Sequence, residues 1–146
     1  MLKNLPPILT PDLLHALASM GHGDEVALVD AHFPASRVAQ QGLNRLVRLP
    51  GLSATAVLEA VLQVLPLDDS ASACAWTMQV MGDAHRVPDA VAEFQSVLKR
   101  QGMSEVATLE RFAFYEQAKA AYVVVQTGDE RTYANILLRK GLVVHG

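Results

Sequence analysis

A short apolar run bracketed by titratable residues constrains the fold of this chain most strongly. Val26–Val29 is preceded by His22 and Asp24 and is followed by Asp30 and His32. Four consecutive aliphatic residues of this kind predict a buried strand. Polar groups so close to a buried strand cost free energy unless they are paired or used. The block therefore predicts a functional site at the ends of this strand.

Helical and strand patterns alternate along the rest of the chain. Thr10 and Ser53 are the predicted N-caps of two helices, with Pro11 at the first helical position, and Gly21 is expected at a left-handed C-cap. The alternation predicts a single α/β domain over residues 1–146, with a largely parallel or mixed sheet. The predicted helices are Pro11–Met20, a segment after Ser53 with an apolar stripe from Ala56 to Leu65, Pro88–Lys99 and Arg111–Ala121; the predicted strands are Glu25–Asp30, Leu43–Leu49, a β-rich segment Ser72–Met81, Val106–Leu109, Tyr122–Thr127 and Asn135–Leu138.

Composition narrows the classes of function. Hydrophobic residues make up 51% of the chain and charged residues 18%, so either the core is large or apolar surface is buried between copies. The 12 Lys and Arg residues are scattered, and nucleic-acid binding is therefore not expected. No apolar run approaches the roughly 20 residues of a membrane span, and no signal peptide is expected. Cys74 is the only cysteine, which excludes an intrachain disulfide and favours the cytoplasm.

Motifs for cofactors and metals are weak in this sequence. Gly21-His-Gly23 resembles the start of a dinucleotide fingerprint, but the third glycine is missing and a helix, not a strand, precedes it. A metal site is an alternative, because Asp30 and His32 would share one face of an extended segment and His22 could join them. Zinc sites usually carry three or four ligands with tight local spacing. We therefore expect neither a metal nor another cofactor.

Two residues of the opening block are candidates for binding or proton transfer. His22 is either an exposed imidazole beside the end of a helix or a site residue in a glycine-flanked loop. Asp30 is either a turn aspartate or a ligand anchor, since ligands of open α/β sheets gather beyond the carboxyl ends of the strands. Spacing alone leaves both alternatives open.

The second half of the chain offers further polar candidates. Arg111 and Tyr115 are four residues apart and should share a helix face, although both could be surface residues. Tyr133 and Asn135 would point the same way on an extended chain, although a turn is the alternative. Together with the imidazole and the carboxylate, these groups suit the binding of a small polar molecule and the movement of protons on it.

Five sequence blocks occur in this order: Met20-Gly-His-Gly-Asp-Glu, Asp30-Ala-His-Phe-Pro, Arg111-Phe-Ala-Phe-Tyr-Glu, Thr127-Gly and Tyr133-Ala-Asn-Ile-Leu-Leu-Arg-Lys-Gly. Together they resemble the family of fucose mutarotases and D-ribose pyranases. The resemblance implies a ribose-pyranase-like fold that assembles into a ring-shaped homodecamer. It also implies a cofactor-independent isomerase that interconverts the anomers of L-fucose. A non-catalytic sugar-binding accessory protein on the same scaffold is the alternative, and a metal-dependent enzyme is a third.

The same resemblance implies a role for individual residues. His22 would be the proton donor. The implied sugar-binding residues are Asp30, Arg111, Tyr133, Ala134 and Asn135. The candidates for selecting the sugar are His32, Trp76 and His85. Their alternative roles are support of a turn for His32, a place in the core or an interface for Trp76, and a surface loop for His85.

The length of the first strand adds a geometric condition. Val26–Val29 spans on the order of 13 Å at about 3.3 Å per residue, so His22 and Asp30 should lie at opposite strand ends. One sugar can reach both only if the Gly21–Gly23 loop folds back, or if a neighbouring subunit supplies one of them. We expect a site at a subunit interface.

Overall fold

The computed structural model describes residues 1–103 and 105–145, which form a six-stranded sheet with helices on both faces. The prediction of a single α/β layout is therefore confirmed for the described residues. No described helix has both the length and the apolar character needed to cross a bilayer. In chain order the elements are α1 Pro11–Ser19, β1 Glu25–Val29, α2 Ala35–Gly42, β2 Arg45–Leu49, α3 Ala54–Leu62, β3 Ala75–Met78, α4 Asp89–Arg100, β4 Ala107–Leu109, α5 Arg111–Lys119, β5 Val123–Thr127 and β6 Ile136–Arg139.

The sheet is mixed, in the order β2-β5-β1-β6-β3-β4. Strands β2, β5 and β1 are mutually parallel, whereas β6 runs antiparallel to both β1 and β3. In the β1–β6 register, Glu25 is opposite Arg139 and Leu28 is opposite Ile136. The segment just before β6 therefore meets the carboxyl ends of β1 and β5 at one edge of the sheet.

Both faces of the central strands are buried. Along β1, Val26 and Leu28 pack with α1, α3 and α4, whereas Ala27 and Val29 pack with α2 and α5. All four side chains are fully buried. Burial of a valine or leucine side chain contributes about 1.5–3 kcal/mol, so this alternation fixes the register of β1 strongly.

Two of the three predicted helix caps are confirmed. Thr10 accepts a hydrogen bond from the backbone N–H of Leu13, and Ser53 accepts one from that of Ala56. The prediction for Gly21 was wrong, because the cap residue is Met20 in an extended conformation. Gly23 instead takes the left-handed conformation, at φ 89°, inside the turn that connects α1 to β1.

The largest omission of the sequence prediction is helix α2. Pro34, its N-cap, makes no side-chain capping bond, so no start signal marks this short helix. Gly42 lets α2 approach α5 closely, since a Cβ there would lie 2.1 Å from the Lys119 carbonyl oxygen. Two predicted strands, Leu43–Leu49 and Ser72–Met81, proved too long, because Leu43 is still the α2 cap and only Ala75–Met78 pairs as β3.

Candidate functional site

A cavity lined by both polar and apolar side chains lies at the sheet edge where β1 ends and β6 begins. Its volume is about 320 Å³, and four of the sequence-predicted residues line it: Asp30, Arg111, Tyr133 and Asn135. Ala134 does not, because its side chain is fully buried in the core. The remaining lining residues are His32, Phe33, Met78, Tyr115 and Thr132.

Asp30 is the most buried charged group of this cavity. Its Oδ1 accepts hydrogen bonds from the backbone N–H groups of His32 at 2.9 Å and Phe33 at 2.8 Å. Burial raises the pKa of Asp30, and these two hydrogen bonds offset that effect only in part. A carboxyl group in such a place can hold a ligand hydroxyl and can also take up a proton.

Asn135 fixes the geometry beside Asp30. Its Oδ1 accepts a hydrogen bond of 2.9 Å from the backbone N–H of Asp30. The side chain is buried, at 3% exposure, and joins the end of β1 to the start of β6. Because its carbonyl oxygen is engaged, the amide NH₂ is the part of Asn135 left to donate toward a ligand.

Tyr133 reaches the cavity from a left-handed backbone conformation, at φ 62°. The prediction that Tyr133 and Asn135 share the face of an extended segment was wrong, because Tyr133 lies in a turn. Both nevertheless line the same cavity. The Tyr133 hydroxyl accepts a hydrogen bond of 3.1 Å from the backbone N–H of Met81. A non-glycine residue in this conformation costs on the order of 1 kcal/mol, and such strain is found preferentially at functional sites.

Arg111 and Tyr115 share one face of α5, as predicted. The Arg111 Nε donates to the Tyr115 hydroxyl at 3.1 Å. The Tyr115 ring contacts the Phe33 ring edge to face, with 5.3 Å between centroids. Within residues 1–103 and 105–145, the terminal guanidinium nitrogens make no ion pair, so they can donate to hydroxyls in the cavity.

An ionic cluster supports the β5–β6 loop, and the sequence analysis missed it. Asp129 Oδ2 accepts a hydrogen bond from the backbone N–H of Ala54, and both carboxylate oxygens accept from the Arg131 side chain. Arg131 also pairs with Glu93 of α4. Burial disfavours the Asp129 carboxylate, but these donors outweigh burial and lower its pKa. The cluster joins the loop that carries Tyr133 to two helices.

His22 lies at the opposite edge of the sheet from the cavity. The backbone N–H of Gly23 donates to the carbonyl oxygen of Lys140 at 2.9 Å, which places this turn beside the end of β6. The His22 turn and Asp30 lie at the two ends of β1, which has five residues. At about 3.3 Å per residue, the strand separates them by about 16 Å. The Gly21–Gly23 loop thus does not fold back toward Asp30. The imidazole contacts Asp68 instead, with 3.4 Å between Nε2 and Oδ1.

The separation of His22 from Asp30 also argues against the proposed metal site of His22, Asp30 and His32. His22 does not join Asp30 and His32, and no group of three or more potential ligands occurs in the part of the chain described above. Asp30 and His32 are also not on an extended segment, since His32 lies in the turn that Asp30 caps.

The candidates for sugar selectivity lie in different places. His32 lines the cavity, and its Nε2 is 2.9 Å from the carbonyl oxygen of Glu130. Trp76 lies outside it on β3, where the Arg139 guanidinium stacks 4.8 Å from the ring centroid. His85 is exposed in the β3–α4 connection. Phe33 and Thr132 are close in sequence to Asp30 and Tyr133 but were not predicted to line the cavity. Met78 could not be predicted, because β3 is distant in sequence from the other lining residues.

A larger depression lies away from these residues. It has a volume of about 690 Å³ and lies between the α3–β3 and α4–β4 connections. None of the predicted sugar-binding residues lines it. The smaller cavity is therefore the better candidate site, since polar groups from four chain segments converge there.

Comparison with known proteins agrees with this fold. Residues 3–143 match the RbsD / FucU transport protein family. The fucose mutarotase of Homo sapiens is 44% identical over 146 residues, covering 97% of this chain and 94% of that protein. A fucose mutarotase of Streptococcus pneumoniae, solved in complex with L-fucose, is 37% identical with a TM-score of 0.89, over 98% of this chain and 100% of that one. Bacillus subtilis RbsD complexed with D-ribose shares the fold, at 19% identity and a TM-score of 0.76 over 99% and 100% of the two chains.

Proposed function

The chain belongs to the RbsD / FucU transport protein family, and from that premise we propose that it interconverts the α and β anomers of L-fucose. The observation that carries this proposal is the convergence of Asp30, Arg111, Tyr133 and Asn135 on one cavity. The chain is also similar, at 44% identity, to a protein named fucose mutarotase. We propose that the reaction needs no cofactor and takes place in the cytoplasm, which the single free thiol of Cys74 favours.

Mutarotation is chemically a pair of proton transfers. Ring opening protonates the ring oxygen and deprotonates the anomeric hydroxyl; the aldehyde then rotates, and the ring closes on the other face. A positioned acid–base group typically contributes about 10²–10⁴-fold to such a step. In this proposal His22 supplies the proton to the ring oxygen, because an imidazole exchanges protons readily near neutral pH.

The cavity residues would hold the sugar during this exchange. Asp30 accepts a hydrogen bond from a sugar hydroxyl, and the Arg111 guanidinium donates to oxygens on which negative charge develops. Tyr133 and the Asn135 amide fix the orientation of the ring. The Ala134 side chain is buried, so its contribution to binding would come from its backbone. The same open-chain intermediate closes to a furanose through another hydroxyl, so pyranose–furanose exchange could share the site.

The distance between His22 and Asp30 supports a site shared between subunits. His22 and the cavity lie at opposite sheet edges, and exposed apolar side chains occur near each of them. Phe112 and Met81 are 63% and 61% exposed and adjoin cavity residues, whereas Val143 and Val144 follow β6 at the other edge and are 64% and 84% exposed. A contact that joins two different surfaces of identical subunits is heterologous, and it generates a ring when the rotation between subunits closes.

We therefore propose that one subunit of a homodecamer provides Asp30 and that its neighbour provides His22. The decamer itself is what the resemblance implies. In the assembly, the exposed apolar residues at the two edges would be buried between neighbouring subunits, in line with the high apolar content of the chain.

The activity is tested by saturation-transfer NMR on the anomeric protons of L-fucose. We expect the protein to accelerate exchange between the α and β signals, and His22→Ala to remove most of the acceleration while sugar-induced chemical shifts remain. Unchanged exchange rates with sugar-induced shifts would instead indicate a non-catalytic sugar-binding protein. D-ribose and L-rhamnose in the same assay define which sugar is preferred.

The shared site is tested by mixing two inactive variants. His22→Ala and Asp30→Asn subunits, refolded together in equal amounts, should regain about a quarter of the wild-type rate, because random neighbours then restore one site in four. Each variant refolded alone is the control. If a single subunit supplied both residues, the mixture would stay inactive.

A further inference from the structure

A groove between helices α2 and α5 adjoins the candidate sugar site and has no role in the proposed reaction. Its volume is about 280 Å³, many times the roughly 30 Å³ that one water molecule occupies. Arg111 and Tyr115 line both this groove and the cavity that contains Asp30. The α2–α5 groove is therefore continuous with the proposed sugar site.

The charged side chains of the α2–α5 groove are mainly cationic. Three cations and one acid line it: Arg37, Arg111, Lys119 and Glu116. Lys119 pairs with Glu116, with 2.8 Å between Nζ and Oε1. Within residues 1–103 and 105–145, Arg37 and Arg111 pair with no acid. Three cations and one acid give the groove a formal charge of +2.

The Arg111 guanidinium is held in a defined position between the groove and the cavity. Its Nε donates to the Tyr115 hydroxyl at 3.1 Å. Its central carbon lies 5.4 Å from the ring centroid of Phe112 and 5.6 Å from that of Tyr115. These contacts restrict the side chain and leave the terminal nitrogens as donors. A donor that is already ordered binds an anion at a lower cost in entropy.

We propose that the α2–α5 groove is an oxyanion subsite that binds a phosphate group beside the sugar cavity. A phosphate monoester carries about −1.5 to −2 charges at neutral pH, which complements the formal charge of the groove. Guanidinium groups bind phosphate oxygens through paired N–H donors. Because Arg111 lines both places, a phosphorylated monosaccharide can put its ring in the cavity and its phosphate in the groove.

The subsite is tested with inorganic phosphate, titrated calorimetrically into the assembled protein at fixed ionic strength, since salt screens exposed charges. We expect saturable binding to the wild type. Arg37→Gln should weaken it about tenfold, because a hydrogen bond to a charged group is lost. Arg100→Gln is the matched control and should bind phosphate as the wild type does. It removes the same charge from a 68% exposed side chain of α4, on the other face of the sheet.

Glu116→Gln should have the opposite effect. It removes the acid of the groove and releases Lys119 from its ion pair, so phosphate should bind about twofold more tightly or better. A misfolded variant does not gain affinity, so this result separates charge from structural damage. Neither Arg37 nor Glu116 lines the sugar cavity, and both variants should keep the wild-type rate of L-fucose exchange without phosphate.

L-fucose 1-phosphate identifies the source of the phosphate. Its anomeric oxygen is esterified, so the ring stays closed and binding is measured without mutarotation. Tighter binding than that of either inorganic phosphate or L-fucose, weakened by Arg37→Gln, would show that one ligand spans the cavity and the groove. An affinity equal to that of inorganic phosphate would support the subsite and assign it to free phosphate.

Two results would overturn the proposal. One is the absence of saturable phosphate binding to the assembled protein, which is also the result if a neighbouring subunit covers the groove. The other is an equal loss of affinity in Arg37→Gln and Arg100→Gln. Phosphate binding does not require anomer exchange, so a wild-type protein that binds phosphate without accelerating exchange would contradict only the proposed function.

Discussion

Asp30 and Asp129 occupy similar places in the fold but have opposite electrostatic surroundings. Each follows a parallel strand at the same edge of the sheet, and the two are 3% and 5% exposed. Asp129 is paired with the Arg131 guanidinium, with 2.9 Å between Oδ2 and the nearest nitrogen. Asp30 has no such cation among residues 1–103 and 105–145; it accepts only backbone N–H groups and faces the cavity.

We infer that this difference separates a structural carboxylate, Asp129, from one with the proposed function, Asp30. The donors around Asp129 favour its charged form, so this side chain stabilises the loop in which it lies. Burial disfavours the charged form of Asp30, so this side chain reduces the stability of the fold unless a ligand supplies donors. Residues of the second kind are typical of active sites, where function is retained at a cost in stability.

The largest expected effect is on activity, from Asp30→Asn. The asparagine Oδ1 can still accept from His32 and Phe33, so the turn should persist. We expect the acceleration of L-fucose anomer exchange to fall by about 10²-fold or more, with an unchanged or higher melting temperature. Exchange NMR and thermal unfolding at one protein concentration provide the two measurements. Wild-type activity in this variant would contradict the functional assignment of Asp30.

Asp129→Asn should show the reverse pattern. An asparagine at this position places an NH₂ group near the donors of Arg131 and leaves a buried partner unsatisfied, which costs about 1–3 kcal/mol. We expect a lower melting temperature and, in the folded protein at low temperature, a smaller loss of activity than for Asp30→Asn.

Glu93→Gln is the matched control for this variant. It removes the Glu93 carboxylate, which is the outer carboxylate of the same cluster. The Glu93 side chain is 46% exposed. Exposed ion pairs contribute only about 0–1 kcal/mol, so this variant should melt close to the wild type. If Glu93→Gln and Asp129→Asn were equally destabilised, burial would not be the reason that Asp129 matters.

The sequence predicted local features of the fold well and contacts between distant segments poorly. The caps at Thr10 and Ser53 and the buried run Val26–Val29 follow from local chemistry, and the structure contains all three. Helix α2 has no capping side chain, so its start at Ala35 carries no local signal. The order of the strands depends on packing across the whole chain and is not visible in any one segment.

The candidate site shows the same division. Asp30 and Arg111 were identified from residue type, position and resemblance, and the structure brings them to one cavity. Met78 could not be identified in this way, because β3 reaches the cavity only through its pairing with β6. The Asp129–Arg131 pair has a local signal in its spacing of two residues, but its significance depends on Glu93 and Ala54, which are distant in sequence.

The smallest expected effect is a difference in how the two aspartates link stability to pH. The pKa of Asp30 is raised in the folded protein, so its charge destabilises the fold above that pKa, and the penalty disappears as the pH falls toward the unfolded value of about 3.9. The pKa of Asp129 is lowered, so its stabilising contribution is complete above about pH 4 and is lost only as the pH falls further.

The two asparagine variants should therefore diverge from the wild type in opposite directions. At pH 7, Asp30→Asn should melt at or above the wild-type temperature, and this advantage should shrink between neutral pH and about pH 4. Asp129→Asn should melt below the wild type, with a constant difference down to about pH 4 and a smaller one below it. Melting temperatures at fixed protein concentration across this range provide the test, because assembly also contributes to stability. Differences of the same sign in both variants would show that the two aspartates do not differ as proposed.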